Sequence, residues 1–343
     1  MPLELVTSGT NSLPAALTSL APAAGDDPAT GKRAIDPALG RGYIQVVDLG
    51  PLLKLMIHQY ELRQAVRLRK LPAPTSADTL IFSFRHVFQP RPAQPGPASS
   101  AGPPARALPT VRVSSADMEF EESAPANATI NAILIAADIA LFSDLRPPHQ
   151  TNEVIQTLLA SRQPYVYEVF SSPAMQAVAA EIMAADAPPE LQGYYLKLKA
   201  EELLYLFLAE LLKREHAPLY PLNGTDAQRL YALRDQLLVD LRTVPNLPEL
   251  ARTAGMSESK MKRLFKQIFG TTIYTYYQTV RLQEAMRLLR DQHLSVSEVG
   301  YHLGFQNMSH FTRLFERHVG LKPKQYSKST GIKPHAKALG GKG

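Results

Sequence analysis

Two stretches of this chain, ARTAGMSESKMKRLFKQIFGTTIYTY (251–276) and GYHLGFQNMSHFTRLFERHVGLKPKQY (300–326), carry one pattern twice, about fifty residues apart. Leu250 aligns with Val299, Gly255 with Gly304 and Met256 with Phe305. After one residue of slippage, Met261 aligns with Phe311, Arg263-Leu264-Phe265 with Arg313-Leu314-Phe315, Gly270 with Gly320 and Tyr276 with Tyr326. A pattern written twice folds twice, so this segment must build two similar units side by side.

Each unit opens on NLPE (246–249) or SVSE (295–298), a capping side chain three residues before a Glu, as in a helix capping box. A short helix follows. Gly255 and Gly304 then fall where a helix must stop and turn sharply, which favours a residue that tolerates positive φ. Ser257 and Asn307 can cap the next helix. The spacing places Met261, Leu264, Phe265 and Ile268 on one face of that helix in the first copy, and Phe311, Leu314, Phe315 and Val319 in the second. Helix, glycine turn and amphipathic second helix make a helix-turn-helix.

The second helices, 257–269 and 307–319, fit the major groove of B-DNA, where an Arg fork can bond both acceptors of a guanine edge. Arg263 and Arg313 hold matched places and are the expected base readers. Ser259, Lys262, Met308, Ser309 and Thr312 are candidates for neighbouring base contacts, Met308 for apolar contact with a thymine methyl. Ser257, Lys260, Lys266, Asn307 and His310 are candidates for the phosphates, which add affinity without sequence choice. For any one Lys or Arg here, a solvated helix face is an equally good reading; the duplicated frame is what argues for the group. Between the copies, YTYYQTVRLQEAMRLLRDQ (274–292) has an apolar stripe of Tyr277, Val280, Leu282, Ala285, Leu288 and Leu289. Eighteen or so helical residues span roughly 27 Å. With its flanking turns, such a helix can hold two recognition helices about one DNA turn, ~34 Å, apart.

From Tyr231 onward, 18 Lys and Arg stand against 8 Asp and Glu, a net of +10, while the preceding residues carry 19 against 23, a net of −4. A basic last third on a slightly acidic remainder is consistent with one module that meets polyanions. There is no cysteine. That excludes disulfides, thiolate metal sites and cysteine nucleophiles, and it suits a reducing cytoplasm. The longest apolar run, NAILIAADIALF, is broken by Asp138 and is too short to span a bilayer. The N-terminus has no basic residue before Lys32, so no secretory signal is expected.

Residues 1–40, rich in Ala, Pro, Gly and Ser, are expected to be loose. Strands are expected in YIQVVDL, LKLMIHQYELRQAVRLRKL and TLIFSFRHVF, the last alternating Leu80, Phe82, Phe84, His86 and Phe88 against Ile81, Ser83, Arg85 and Val87. They are expected again in TVRVSS and ATINAILIAAD, with a Pro-rich loop at 89–109 between. An antiparallel sandwich or small barrel over 41–140 follows, and then helices, of which 194–215 is apolar on more than one face and could offer one to a second subunit. The expected domains are a sensor and dimerisation domain at 41–225, an all-α domain at 226–330 and a basic tail at 331–343.

The repeat resembles the DNA-binding domain of AraC/XylS-type transcription regulators, whose signature is matched by Gly304-Phe305, the Phe311-to-Phe315 helix, Gly320, Pro323 and Tyr326. Arg281 falls where the family's linker helix has an Arg. Gly300 departs from the family's usual Ala, the residue found at the matching Ala251, and weakens its helix by up to ~1 kcal/mol. LKLKAEELLYLFLAELL, DAQRLYALRDQLL and FGTTIYTYYQTVRLQEAMRLL resemble the siderophore-responsive PchR-like subgroup. The resemblance implies an α+β chain: an N-terminal β-rich, cupin-like sensor with dimerisation helices, then two helix-turn-helix units joined by a linker helix. It implies a cytoplasmic activator, a homodimer that acts at promoter DNA with RNA polymerase and answers to a small-molecule effector.

Two rival readings stand beside this one. An enzyme would need chemistry the sequence does not offer: no phosphate-binding Gly loop, no nucleophile elbow, no metal spacing among the nine histidines, and no cysteine for the methyl-acceptor relatives of this domain. No catalytic residue, metal or cofactor is therefore expected. A sequence-tolerant architectural DNA binder stays open as the alternative, its affinity dominated by counterion release.

Overall fold

A computed structural model describes residues 3–7, 26–27, 31–70, 78–85, 109–115, 118, 120–145, 153–160, 164–184, 186–214, 220–291 and 294–329. The Pro-rich loop up to residue 108, His86 and Phe88, and the basic tail at 331–343 lie outside the described residues. The chain divides into two compact units, Met1–Arg229 with Gln267–Gly270, and Leu230–Lys266 with Thr271–Gly343.

The first unit is built on an eight-stranded antiparallel sheet. Its strands are β2 (Asp26–Asp27), β3 (Lys32–Ala34), β4 (Gly40–Asp48), β5 (Leu53–Leu62), β7 (Thr79–Arg85), β8 (Thr110–Ser115), β10 (Thr129–Asp138) and β11 (Val166–Phe170), in spatial order β11-β8-β7-β10-β5-β4-β3-β2. Three more strands, β1 (Leu3–Thr7), β6 (Val66–Lys70) and β9 (Phe120–Ala124), form a second sheet in which β1 runs parallel to β6. The period-2 alternation sends Leu55, Ile57, Phe82, Phe84, Val111, Val113, Ile133 and Ile135 to one face of the large sheet. That face is covered by α1 (Glu153–Ala160), α2 (Pro173–Ala184) and α3 (Gln192–Leu211), which supply Leu158, Val178, Ile182, Leu203, Leu204, Phe207 and Leu211. Phe82 meets Phe207 edge-on at 5.4 Å. Each such side chain contributes ~1.5–3 kcal/mol by leaving water. The opposite face holds a smaller cluster of Ile35, Leu39, Ile44, Met56, Leu62 and Val66.

Two expectations are corrected here. Part of the stretch read as loose is paired: β3 joins β4 antiparallel, and Ile35 and Leu39 are buried, because a short alternating run gains partners from strands elsewhere in the chain. The helical half also contains a strand. β11, VYEVF, pairs antiparallel with β8 at the sheet edge, in keeping with its β-branched and aromatic content. The large sheet runs from β11 to β2 without closing among the described residues.

The second unit is all-α. It begins within α4 (Gly224–Val239) and continues through α5 (Leu247–Ala254), α6 (Glu258–Phe269), α7 (Ile273–Asp291), α8 (Val296–His302), α9 (Met308–Val319) and α10 (Pro323–Ser329). α7 brings Leu282, Ala285, Leu288 and Leu289 against Val299, Leu303, Phe305, Phe311 and Phe315, so the stripe read from the sequence is the spine of this core. Among the described residues, no helix is long and apolar enough to cross a membrane, and no group of three His, Asp or Glu could hold a metal.

Candidate nucleic-acid interface

The two copies match to the level of single hydrogen bonds. α5 is capped by Asn246, whose side chain accepts from Glu249 N at 3.3 Å. α8 is capped by Ser295, which accepts from Glu298 N at 3.3 Å while Glu298 Oε2 accepts from Ser295 N at 2.8 Å. The full capping box is thus closed in the second copy; the first makes the Asn246 half. Gly255 and Gly304 both turn left-handed, at φ 61° and 75°. Past each glycine the next amide reaches back five residues: Met256 N donates to Ala251 O at 3.0 Å and Phe305 N to Gly300 O at 2.9 Å. This is the long-range bond of a Schellman stop, made twice.

The next helix starts on the same device in each copy. Ser257 Oγ accepts from Lys260 N at 3.3 Å, and Asn307 Oδ1 accepts from His310 N at 3.0 Å. Met261, Leu264, Phe265 and Ile268 are buried under α6; Phe311 and Phe315 are buried under α9, with Leu314 and Val319 half-buried beside them. Phe265 meets Tyr276 edge-on at 5.6 Å, and Phe315 meets Tyr326 edge-on at the same 5.6 Å. The end of the repeat is therefore an aromatic clasp.

Ser259, Lys262 and Arg263 emerge together on the exposed face of α6, with Lys260 and Lys266 half-buried at its flanks. Lys262 pairs with Glu258 one turn before it. On α9, Ser309, His310 and Arg313 are exposed and Thr312 is half-buried. Met308 stands apart. It packs against the core of its unit and folds over Gly300, where an added Cβ would come within 2.5 Å of its Sδ. Ser257 and Asn307 are exposed, their side chains engaged as caps.

Arg281 has a different role from the surface cations. It is buried on α7, donating Nε and Nη2 to the Leu303 carbonyl at 3.2 and 2.6 Å. Its guanidinium lies 3.9 Å from the Phe305 ring centroid and 5.1 Å from that of Tyr277. Leu303 is the C-cap of α8, so the charge satisfies an orphan carbonyl at the negative end of a helix and stacks on the turn. Tyr277 Oη, from the same helix as Arg281, donates to Leu241 O at 2.9 Å. The segment 240–243 is closed by Asp240, which accepts from Thr243 Oγ1 at 2.6 Å and Arg242 N at 2.8 Å. Those bonds, led by Thr243, hold its carboxyl below the ordinary range. Sequence reasoning missed Arg242 and Tyr301, both exposed, which border a shallow depression with Gly304, Phe305 and Gln306. Their proximity depends on the fold, although the positive charge of Arg242 was visible.

A helix-turn-helix repeated on one scaffold defines this unit as a nucleic-acid-binding class of domain. Residues 250–329 match the family model described as "Helix-turn-helix domain". The regulatory protein PchR of Pseudomonas aeruginosa is 34% identical over 125 residues, covering 36% of this chain and 42% of that protein. The transcriptional activator RhaR of Yersinia pseudotuberculosis is 30% identical over 134 residues, covering 38% of this chain and 45% of that protein. The chain thus spans less than half the length of these curated relatives. A crystal structure of an AraC-type regulator from Chromobacterium violaceum is 25% identical, with a TM-score of 0.30, and covers 32% of this chain and 97% of that one. Through this segment the chain is similar to proteins named as a regulatory protein and a transcriptional activator.

Proposed function

We propose that the protein is a sequence-specific, effector-responsive transcription regulator that inserts α6 and α9 into successive major grooves of promoter DNA. The observation that carries this reading is the duplicated frame, which presents Arg263 and Arg313 at matched exposed positions of two helices. Arg263 and Arg313 read bases. Ser259, Lys262, Ser309 and Thr312 make neighbouring contacts, and Met308 reaches a thymine methyl only by unfolding from Gly300. Ser257, Lys260, Lys266, Asn307 and His310 hold phosphates. The working form is a cytoplasmic homodimer that acts with RNA polymerase as an activator. Support for the dimer comes from α3 and its ends, where Leu191, Leu198, Tyr205 and Leu212 are exposed at intervals of seven, with Tyr194 beside them. A period of seven is the seam spacing of a coiled coil.

The test is recovery of genomic fragments bound by the purified protein at about 150 mM salt. A specific regulator prefers its sites by roughly 10³ or more, so sharp enrichment of paired short blocks one helical turn apart is expected. Uniform recovery, with and without cell extract as a source of effector, would sink the specific reading in favour of an architectural binder.

A further inference from the structure

We infer that Arg242, with Tyr301 and Gln306, grips one phosphodiester of the DNA backbone at the edge of the groove that α9 enters. The inference rests on reading α9 as a recognition helix.

The place is the shallow depression beside the second helix-turn-helix, about 750 Å³ in volume. Its lining comes from the 240–243 segment, from Tyr301 near the end of α8, and from Gln306, the residue before the Asn307 cap of α9. In a docked helix-turn-helix the first helix crosses the DNA backbone, while the start of the second meets base edges. A hollow bordered by both is where the sugar-phosphate strand at the groove's edge runs.

The backbone that carries Arg242 is firmly mounted. Tyr277 Oη donates to Leu241 O at 2.9 Å, and Leu241 packs against the core of the unit. The Asp240 carboxylate closes the turn, accepting from Arg242 N at 2.8 Å and from Thr243 Oγ1 at 2.6 Å. Arg242 O sits so close to Gly304 that no side chain fits between them. The guanidinium itself is exposed, and among the described residues it makes no hydrogen bond or ion pair. A cation on a fixed mount loses less freedom when it is engaged. The Tyr301 hydroxyl and the Gln306 amide are also exposed and have no hydrogen-bond partner among the described residues. Guanidinium, phenol O–H and amide N–H are donors suited to the two free oxygens of a diester.

The charge of the hollow narrows the ligand. Asp240 offsets Arg242, so the lining exerts little long-range pull on a free phosphate dianion. A diester carries one charge and is delivered by the two recognition helices. The site then completes a contact and does not have to capture an ion.

The test uses the full-length protein, a duplex bearing a site recovered from genomic DNA, and a random duplex of equal length. Arg242→Ala keeps the main-chain bonds of the 240–243 segment, so its urea midpoint should match the parent's. Its affinity should fall about tenfold on both duplexes, as for loss of a charge-assisted hydrogen bond. The slope of log K against log salt should shrink by about 0.9. Arg242→Lys should keep the slope, and Tyr301→Phe should weaken binding about two- to fivefold. The decisive readout comes from duplexes in which one phosphate at a time is replaced by a neutral methylphosphonate. One replacement beside the second half-site should weaken the parent and leave Arg242→Ala unaffected, a pairing that a merely structural role would not produce. If the preferred duplex shows no such pairing, or if Arg242→Ala keeps the parent's affinity and slope, the site is wrong. Failure of the functional reading looks different. A protein that prefers its site by roughly 10³ and ignores Arg242→Ala keeps its function and loses this contact. One that binds all duplexes alike, with Arg242 setting the slope, keeps the contact and loses sequence-specific regulation. One that binds no duplex loses both.

Discussion

The two helix-turn-helix units share their caps, their left-handed glycines, their Schellman bonds and their Phe–Tyr clasp, yet their outward faces differ in charge. α6 carries Lys260, Lys262, Arg263 and Lys266 against Glu258, a net of +3; α9 carries Arg313 and Arg317 against Glu316, a net of +1. The interiors differ as well. The second unit is pinned by Arg281 on the α8 stop, and it carries Gly300 where the first has Ala251. The two units share the devices that start and stop their helices, and differ in surface charge and in one interior pin. On our functional reading, the first unit supplies more of the electrostatic affinity, and the second depends more on exact placement.

The sharpest way to break this comparison is to unpin the second unit. Arg281→Met strips two hydrogen bonds from the Leu303 carbonyl and the charge from the Phe305 ring. It should destabilise the C-terminal unit by about 2–4 kcal/mol, read as a lower urea midpoint with hydrogen exchange accelerating first in α8 and α9. A loss below ~1 kcal/mol would mean that the interaction is incidental. Gly304→Ala comes next. It forces a left-handed conformation costing ~1–2 kcal/mol and drives a Cβ to 2.4 Å from the Arg242 carbonyl, a backbone group that cannot swing aside. A total of about 2–3 kcal/mol is expected in the same unfolding assay, and a cost at or under 1 kcal/mol would show that the 240–243 segment yields easily.

The DNA-binding effects are smaller and separable. Arg263→Ala and Arg313→Ala should each cost ~1–3 kcal/mol and relax choice at one base position. Replacing Lys260 and Lys266 by Ala should instead weaken all sequences alike and lower the salt slope by about 0.9 for each phosphate no longer neutralised. Binding measured across 50–200 mM salt on matched and mutated sites distinguishes the two. If the lysine variant loses sequence preference, the division of labour between the units is wrong.

How much of this was legible in the sequence depended on the distance over which each feature is decided. The repeat was legible because capping, the glycine stop and the 3.6-residue stripe are local: Asn246, Gly255, Ser257 and Phe265 announce themselves within twenty residues. Arg281 was visible as a position but not as a role, since its partner Leu303 lies across a fold that must first form. Thus a buried cation reads as a surface one until its carbonyl is known. β11 was missed because a five-residue strand between helices has no periodic neighbour, and β8, the strand it joins, lies far upstream. The pairing of β3 with β4 was hidden by composition in the same way. His58 looked like one of several scattered histidines; only the register of β5, β10 and β7 places it on the same face as Arg85, two strands away.

Gly300 gives the finest test of the comparison, because its sign turns on one flexible side chain. The matching residue is Ala251, and alanine favours a helix over glycine by up to ~1 kcal/mol. At Gly300, however, a Cβ would sit 2.5 Å from Met308 Sδ, 2.9 Å from its Cε and 3.3 Å from Phe311 Cδ1. The methionine end can move, whereas the Phe311 ring is held at 4.9 Å from Phe305 and 5.9 Å from Phe315. Gly300→Ala alone should therefore change stability by less than ~1 kcal/mol, the helical gain offset by the displaced thioether. In a Met308→Ala background the same substitution should stabilise by ~0.5–1 kcal/mol, so that a double-mutant cycle returns a coupling of about that size. A coupling near zero would place the strain on Phe311 instead. The constraint on residue 300 would then come from the aromatic core and not from the methionine folded over the glycine.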